Sequence, residues 1–331
     1  MSLINGDARQ LPLKSQSVDL IITSPPYWQK RDYGYAKQIG QEKTYSGYIE
    51  QLILALEECK RVIKSTGSVF INLGDTYNSD RSLAGIPSIF EIKAREAGWL
   101  VRNRIAWVKN MGMPTPVRNR LVSRHEYIFH LTLSNKYYYD LFGYMEKYKA
   151  TGDIGDVWHI PPGRRKSGHM APFPEELVER IITIASPYEI CSNCGVPRER
   201  IVKKTDHLDT SRPGAVKAME LAKKYLTPEH IAAIQSFGIG DVNRAKEYQS
   251  GAGKSSEHIK KLAREAKDVL GGYFREYTFP LRESVGWTNC KCGAEVIPSV
   301  VLDPFCGSGT TITVAQRMGR TGIGIDLASI K

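Results

Sequence analysis

The stretch from Ser17 to Trp28, SVDLIITSPPYW, decides how the rest of the chain is read. Val18 to Ser24 form a short, nearly continuous apolar run without helical length, which predicts a buried strand. Two prolines then follow in succession. Each ring fixes φ and removes a backbone N–H, so the strand pairing has to stop there. A strand that ends on Ser24-Pro25-Pro26-Tyr27-Trp28 is either a stiff exit packed by aromatics or a rigid clamp for something flat. Trp28 suits core filling and pocket lining equally.

Working outward, SGYIEQLILALEECKRVIKSTG reads as an amphipathic helix with Ser46 as its cap and Gly67 as its stop. SVFINLGD (68–75) is a second buried strand, IPSIFEIKAREAGW a helix and VRNRIAWVKN a strand. HEYIFHLTLSNKYYYD reads as alternating strand material around a turn at Ser134-Asn135. In HMAPFPEELVERIITIASP, Pro174 suits a first helical turn, and Leu177, Ile181, Ile182 and Ala185 make an apolar stripe. SVVLDPF is a strand, GSGTTITVAQRMG a loop entering a helix, and TGIGIDL a further strand. Strands alternating with helices predict a doubly wound, mostly parallel α/β sheet.

The 331 residues suffice for one large domain or two ordinary ones, and 41% hydrophobic content supports a packed core. The net charge of +11 favours a polyanionic partner such as nucleic acid over mere solubility. No apolar run of about 18 residues predicts a membrane span, and MSLINGDARQ lacks a signal pattern. The expected location is cytoplasmic, where thiols stay reduced, in a prokaryote or a virus of one.

Near the end, VLDPFCGSGTT (301–311) joins a strand to a helix through a glycine-rich turn. Open α/β sheets bind ligands at the carboxyl ends of their strands, where this turn lies. Asp326 closes the next strand, as an acid does when it accepts ribose hydroxyls. Asp7, in NGDARQLP, stands shortly before the first strand described above. Helix capping is the competing reading for either aspartate.

TSPPYW, DPFCGSGTT, GDARQLP, GIGID and HMAPFPEELVERI together resemble the DNA amino-methyltransferases that use S-adenosylmethionine. With the SPPY motif first and the glycine loop last, the order resembles the permuted beta group, so the implied fold is a Rossmann-like methyltransferase sheet. The resemblance implies methyl transfer to an exocyclic amine of a base extruded from double-stranded DNA. Such an amine is a poor nucleophile and needs acceptors that aim its lone pair. Ser24 and the Pro25 carbonyl would accept its N–H groups, Pro26 would stiffen the clamp, and Tyr27 would stack on the base. The cofactor would lie on Asp303, Pro304, Phe305, Gly307, Gly309, Thr310 and Thr311. Asp326 would take its ribose, Asp7 and Ala8 its adenine, and Pro172 and Phe173 its methionine portion. Ser at the first motif position implies cytosine N4 over adenine N6. Cytosine C5 chemistry would need a Pro-Cys nucleophile, and the sequence contains no Pro-Cys. Relatives commonly continue with a helix beyond the point where this chain stops, at Lys331.

Of six cysteines, Cys59 suits packing and Cys306 lies in the glycine loop. Cys191, Cys194, Cys290 and Cys292 form two close pairs that fit one structural Zn²⁺, against four free thiols. The catalytic domain is then 1–190 with 293–331. Residues 191–292 form an inserted, helical, zinc-pinned segment for target recognition. This segment holds 18 Lys and Arg against 12 Asp and Glu. GAGKSS within it is no phosphate loop, because Tyr248 stands where the first glycine belongs. Arg118, Arg120 and Arg124 are candidate DNA phosphate contacts. A cognate restriction endonuclease is a candidate partner, and monomer and homodimer both fit. The nearest alternative is a DNA N6-adenine methyltransferase on the same scaffold, followed by a methyltransferase acting on RNA and, in another class, a zinc-stabilised DNA-binding protein with a vestigial cofactor fold.

Overall fold

The first strand read from the sequence is buried at all six positions and lies mid-sheet in the computed structural model. The structure describes residues 2–110, 118–150, 154–163, 174–205, 214–241, 257–271 and 281–328. The strands are β1 (Ser2–Asn5), β2 (Val18–Thr23), β3 (Ile63–Leu73), β4 (Leu100–Val108), β5 (His125–Thr132), β6 (Val157–His159), β7 (Glu189–Cys191), β8 (Arg200–Lys204), β9 (Arg282–Trp287), β10 (Val296–Pro298), β11 (Val300–Asp303) and β12 (Thr321–Asp326). The helices are α1 (Tyr45–Val62), α2 (Ile86–Glu96), α3 (Leu141–Tyr148), α4 (Glu175–Ala185), α5 (Ala215–Tyr225), α6 (Pro228–Asp241), α7 (Glu257–Val269) and α8 (Thr310–Arg317).

Eight strands form one sheet in the order β1-β12-β11-β2-β3-β5-β4-β6, in which β5 alone runs against the others. From β2 the chain passes through α1 to β3 on one side, whereas from β11 it passes through α8 to β12 on the other. The loops leaving β2 and β11 therefore part at a topological switch point, which opens a crevice between them.

Each strand feeds both faces. Ile21, Val69, Ile71, Phe129 and Leu302 pack with α1 and α2, whereas Leu20, Ile22, Phe70, Ile128 and Val301 pack with α4 and α8. This explains why the strands read as continuous apolar runs rather than alternating ones. α4 buries Leu177, Val178, Ile181, Ile182, Ile184 and Ala185. Each large aliphatic among them contributes about 1.5–3 kcal/mol, so one charge at Ile181 would unseat the helix. Asp19, the acid inside the apolar run, is held by Lys64 at 2.7 Å and by the Val300 amide at 2.8 Å, which ties β2 to both neighbours.

Several boundaries differ from the sequence reading. Thr44, not Ser46, caps α1, its side chain accepting from Gly47 N at 3.1 Å. α1 ends at Val62 and the chain enters β3 at once, so Gly67 is no helix stop. A Cβ on Gly67 would lie 2.6 Å from Ile63 Cγ1 and 2.8 Å from the Asp19 carbonyl, so it serves close strand packing. Beyond β5 the residues 133–140 form no second strand. β1 is four residues long with mixed exposure, too short to show a period.

Packing divides the chain into residues 1–199 with 288–331, and residues 200–287. The second unit pairs β8 with β9 antiparallel and gathers Ala218, Ala222, Ile234 and Ala266 from three described helices, with Leu270 just past α7, into a small core. Its strand pair was not anticipated from a sequence that reads as helical.

Candidate active site

The switch-point crevice is a cleft of ≈ 670 Å³, counted out to its open mouth. Its lining includes Ser24 and Pro26 from the β2 exit, Pro304, Phe305 and Gly307 from the β11 exit, and Asp326 from β12. Gly6, Asp7 and Ala8 after β1, and the 33–39 segment with Tyr33, Tyr35 and Ile39, complete it. Four strand ends thus converge, as the sheet order dictates.

Asp326 anchors the glycine loop. Its Oδ2 accepts from Gly307 N at 2.8 Å and its Oδ1 from Ala328 N at 3.0 Å, which leaves lone pairs for further donors. Asp7 is clasped by Arg9, which donates from its backbone, Nε and Nη2 at 2.7–3.0 Å. The Arg9 guanidinium holds the Asp7 carboxyl below its ordinary value. Asp303 does not line the cleft. It is buried beneath the loop, where Oδ1 accepts from Thr23 Oγ1 at 2.7 Å and Phe305 N at 3.1 Å, and Oδ2 from Thr311 Oγ1 at 2.7 Å. Burial pushes its carboxyl up to about 6. Asp303 is therefore a strut joining β2, β11 and α8.

The SPPY segment is braced from several sides. Tyr48 Oη donates to the Pro26 carbonyl at 2.9 Å. Tyr27 Oη donates to Glu126 Oε2 at 2.7 Å, Asn72 Nδ2 donates to Tyr27 Oη at 2.7 Å and to Glu126 Oε2 at 2.9 Å, and Lys109 pairs with the other Glu126 oxygen. Asn72 Nδ2 also reaches Ser24 Oγ at 3.4 Å. Burial and then the Glu126 charge raise the Tyr27 phenol well above its ordinary value, so it stays protonated and donates. Its ring lies against Gly74, where a Cβ would meet Tyr27 Cε2 at 2.8 Å. The Pro25 carbonyl accepts no hydrogen bond among the described residues.

The structure thus brings Ser24, Pro26, Asp7, Ala8, Pro304, Phe305, Gly307 and Asp326 to one cleft. Pro25, Tyr27, Asp303, Gly309, Thr310 and Thr311 lie outside its lining. Pro172 and Phe173 lie outside the described residues. Trp28 is core: it is 6% exposed and its Nε1 donates to the Glu42 carbonyl at 2.8 Å. Asn72, Glu126 and Lys109 were missed by sequence reasoning. The available signal was an amide in the buried run FINL and an acid opening the β5 run.

The four paired cysteines converge as well. Cys191, Cys194, Cys290 and Cys292 place their sulfurs within 4.8 Å of one another. β7 pairs antiparallel with β10, Ser192 N donates to the Glu295 carbonyl at 2.9 Å, and Gly195 N to the Cys191 carbonyl at 2.9 Å. Two tight turns thus face each other with thiols inward. Four sulfurs at this spacing fit one tetrahedral soft cation, and a full protein ligand set leaves no open position.

Comparison with known proteins agrees with this architecture. A family model described as DNA methylase, spanning N6- and N4-directed enzymes, matches residues 18–189 and 297–329. The chain is 34% identical over 215 residues to the Type II methyltransferase M.Cfr9I of Citrobacter freundii, covering 55% of this chain and 71% of that one. It is 31% identical over 220 residues to the Type II methyltransferase M.SmaI of Serratia marcescens, covering 56% and 75%. Among solved structures, the PvuII DNA methyltransferase (cytosine-N4-specific) shares the fold at a TM-score of 0.55 and 14% identity, over 99% of this chain and 82% of that one. A doubly wound sheet with a glycine loop and an SPPY exit flanking its switch point defines an S-adenosylmethionine-dependent amino-methyltransferase. The chain belongs to the N6/N4 DNA methylase family. Both matched family segments fall within the unit that carries the cleft, and residues 190–296 lie between them.

Proposed function

We propose that this protein transfers the methyl group of S-adenosylmethionine to the N4 amine of a cytosine extruded from double-stranded DNA, at a specific site, as a modification enzyme of a restriction system. The observation that supports this best is the placement of Ser24 and Pro26 across one cleft from Gly307 and Asp326. The residues fit the cofactor. Among the described residues other than its chain neighbours, none comes within 4 Å of where a Cβ on Gly307 would sit, so the loop leaves room for a ligand against its backbone. Ile39 and Phe305 offer apolar walls for an adenine ring, and Asp326 retains acceptors for ribose hydroxyls. Bound there, the sulfonium supplies an electrophilic methyl.

The protein's own part is to hold and orient. Ser24 Oγ and the Pro25 carbonyl accept the two N–H groups of the target amine, which draws its lone pair out of the ring and toward the methyl. Tyr48 on the Pro26 carbonyl, and Glu126 and Asn72 on Tyr27, keep this clamp from relaxing. Methyl transfer leaves the amine cationic and strongly acidic, so it releases its proton to water at the open mouth of the cleft. Ser24 in the first motif position favours cytosine over adenine, and the PvuII methyltransferase that shares the fold is cytosine-N4-specific, in keeping with this.

The four cysteines hold one structural Zn²⁺ in this reading. Residues 200–287 supply target recognition, and Lys217, Lys223 and Lys224 on α5, with Lys260, Lys261 and Arg264 on α7, contact phosphates. Arg118, Arg120 and Arg124, all exposed, add to that set. The test is nucleoside mass spectrometry on unmethylated DNA incubated with protein and S-adenosylmethionine. N4-methylcytosine supports the reading and N6-methyladenine overturns the base assignment. Unmodified DNA overturns the activity. Ser24→Ala should abolish the product while cofactor binding survives.

A further inference from the structure

Leu121 stands apart from every other large apolar side chain in the described residues. It is 92% exposed, whereas the other exposed large hydrophobics reach 57% at most. A single exposed leucine is ordinary on a protein surface, so its setting decides what it means. Leu121 lies in the segment before β5, between Arg118 and Arg120 on one side and Arg124 on the other, all exposed. The segment is anchored at both flanks. The Arg120 guanidinium lies 3.8 Å from the Tyr77 ring centroid, and its Nη1 donates to Tyr77 Oη at 2.6 Å. The base is closed by Lys109 N donating to the Arg124 carbonyl at 2.7 Å. Leu121 therefore follows a residue held against Tyr77 and precedes one paired with Lys109.

The segment lies at the end of the sheet where β3 exits, because β5 runs antiparallel to β3 with Tyr127 opposite Leu73. Leu121 lies five positions before Glu126, whose carboxylate holds Tyr27, so the two backbones are at most about 18 Å apart. A projecting apolar side chain flanked by arginines, at the sheet end that carries Tyr27's partners Asn72 and Glu126, suits an intercalating wedge. Arginines grip the phosphates while the apolar tip enters the stack and offsets the cost of unstacking.

Building on the DNA-methyltransferase reading, we propose that Leu121 is the wedge that enters the duplex and occupies the space left by the extruded target base. Its role is confined to opening the base pair. It takes no part in cofactor binding or methyl transfer, so weakening the pair beforehand should make it dispensable.

The test uses the full-length protein and two short duplexes carrying the site found by sequencing DNA that the wild type has methylated. One duplex has the target base normally paired, and the other has it opposite an abasic position. Leu121→Ala is expected to run at least about tenfold slower than wild type on the paired duplex, yet within about twofold of it on the abasic one. Leu121→Met, which keeps an apolar tip, should restore the paired rate. Equal rates for Leu121→Ala and wild type on the paired duplex overturn the wedge, and so does an equal loss on both duplexes. A wild type that methylates no DNA overturns the methyltransferase reading itself, which separates the two failures.

Discussion

Replacing Asp303 by Asn should remove the pH dependence that this one carboxylate imposes on folding. Asp303 is 5% exposed, and burial pushes its carboxyl from 3.8 up to about 6, even with donors from Thr23, Thr311 and Phe305. At 1.36 kcal/mol per pH unit, that rise corresponds to about 3 kcal/mol. The sign follows from proton counting. Between pH 4 and 6 the folded chain holds this proton more firmly than the unfolded one, so stability falls as pH rises through that window and is flat above it. About 1.4 kcal/mol of the loss falls between pH 5 and 7.5. An asparagine does not titrate. Its amide forces the Thr311 hydroxyl to turn and accept, an offset that is independent of pH and cancels in a difference. Urea unfolding of wild type and Asp303→Asn at pH 5 and 7.5 should therefore show the variant gaining about 1.4 kcal/mol relative to wild type as pH rises. A difference that stays constant within about 0.3 kcal/mol would mean that the strut titrates as an ordinary carboxylate, and the burial argument would fail.

Gly74→Ala drives a methyl group into the Tyr27 ring, and overpacking of about 1–3 kcal/mol at the clamp should slow turnover by between about five- and 150-fold, with cofactor affinity by calorimetry unchanged. Glu126→Gln weakens the acceptor for Tyr27 and leaves Lys109 without its counter-charge, so turnover should fall about tenfold or more with no change in melting temperature beyond a few degrees. Elemental analysis of purified protein should find one zinc per chain. Chelation under denaturant, or Cys292→Ser, should release it and lower the melting temperature, whereas a metal-free native protein would exclude the site.

The sheet was legible because its strands are wrapped on both faces. Leu20, Ile21 and Ile22 are all buried, and so are Val69, Phe70 and Ile71, which yields apolar runs that no loop would show. The cleft was legible where backbone chemistry is special, at Pro25-Pro26 and at the glycine turn. The strut role of Asp303 was not, since nothing in VLDPF says that its carboxylate turns inward to two threonines 280 and 8 residues away. Asn72 and Glu126 stayed hidden for a related reason. Strands β3 and β5 are neighbours only through antiparallel pairing across a long connection, and no local pattern announces which polar side chains that pairing brings beneath Tyr27. The boundary of α1 was misread because a helix that passes straight into a strand leaves no cap residue to mark the change.

The second unit leaves and re-enters the chain at adjacent points. Thr288 N donates to the Glu199 carbonyl at 2.8 Å, and one step further Arg200 pairs with Trp287. Two ends already joined by a hydrogen bond can be linked by a short hairpin with little closure entropy. Residues 200–287 are accordingly a cassette in the genetic sense. They can be exchanged for another insert of any length without altering the hydrogen-bonded ends that receive it.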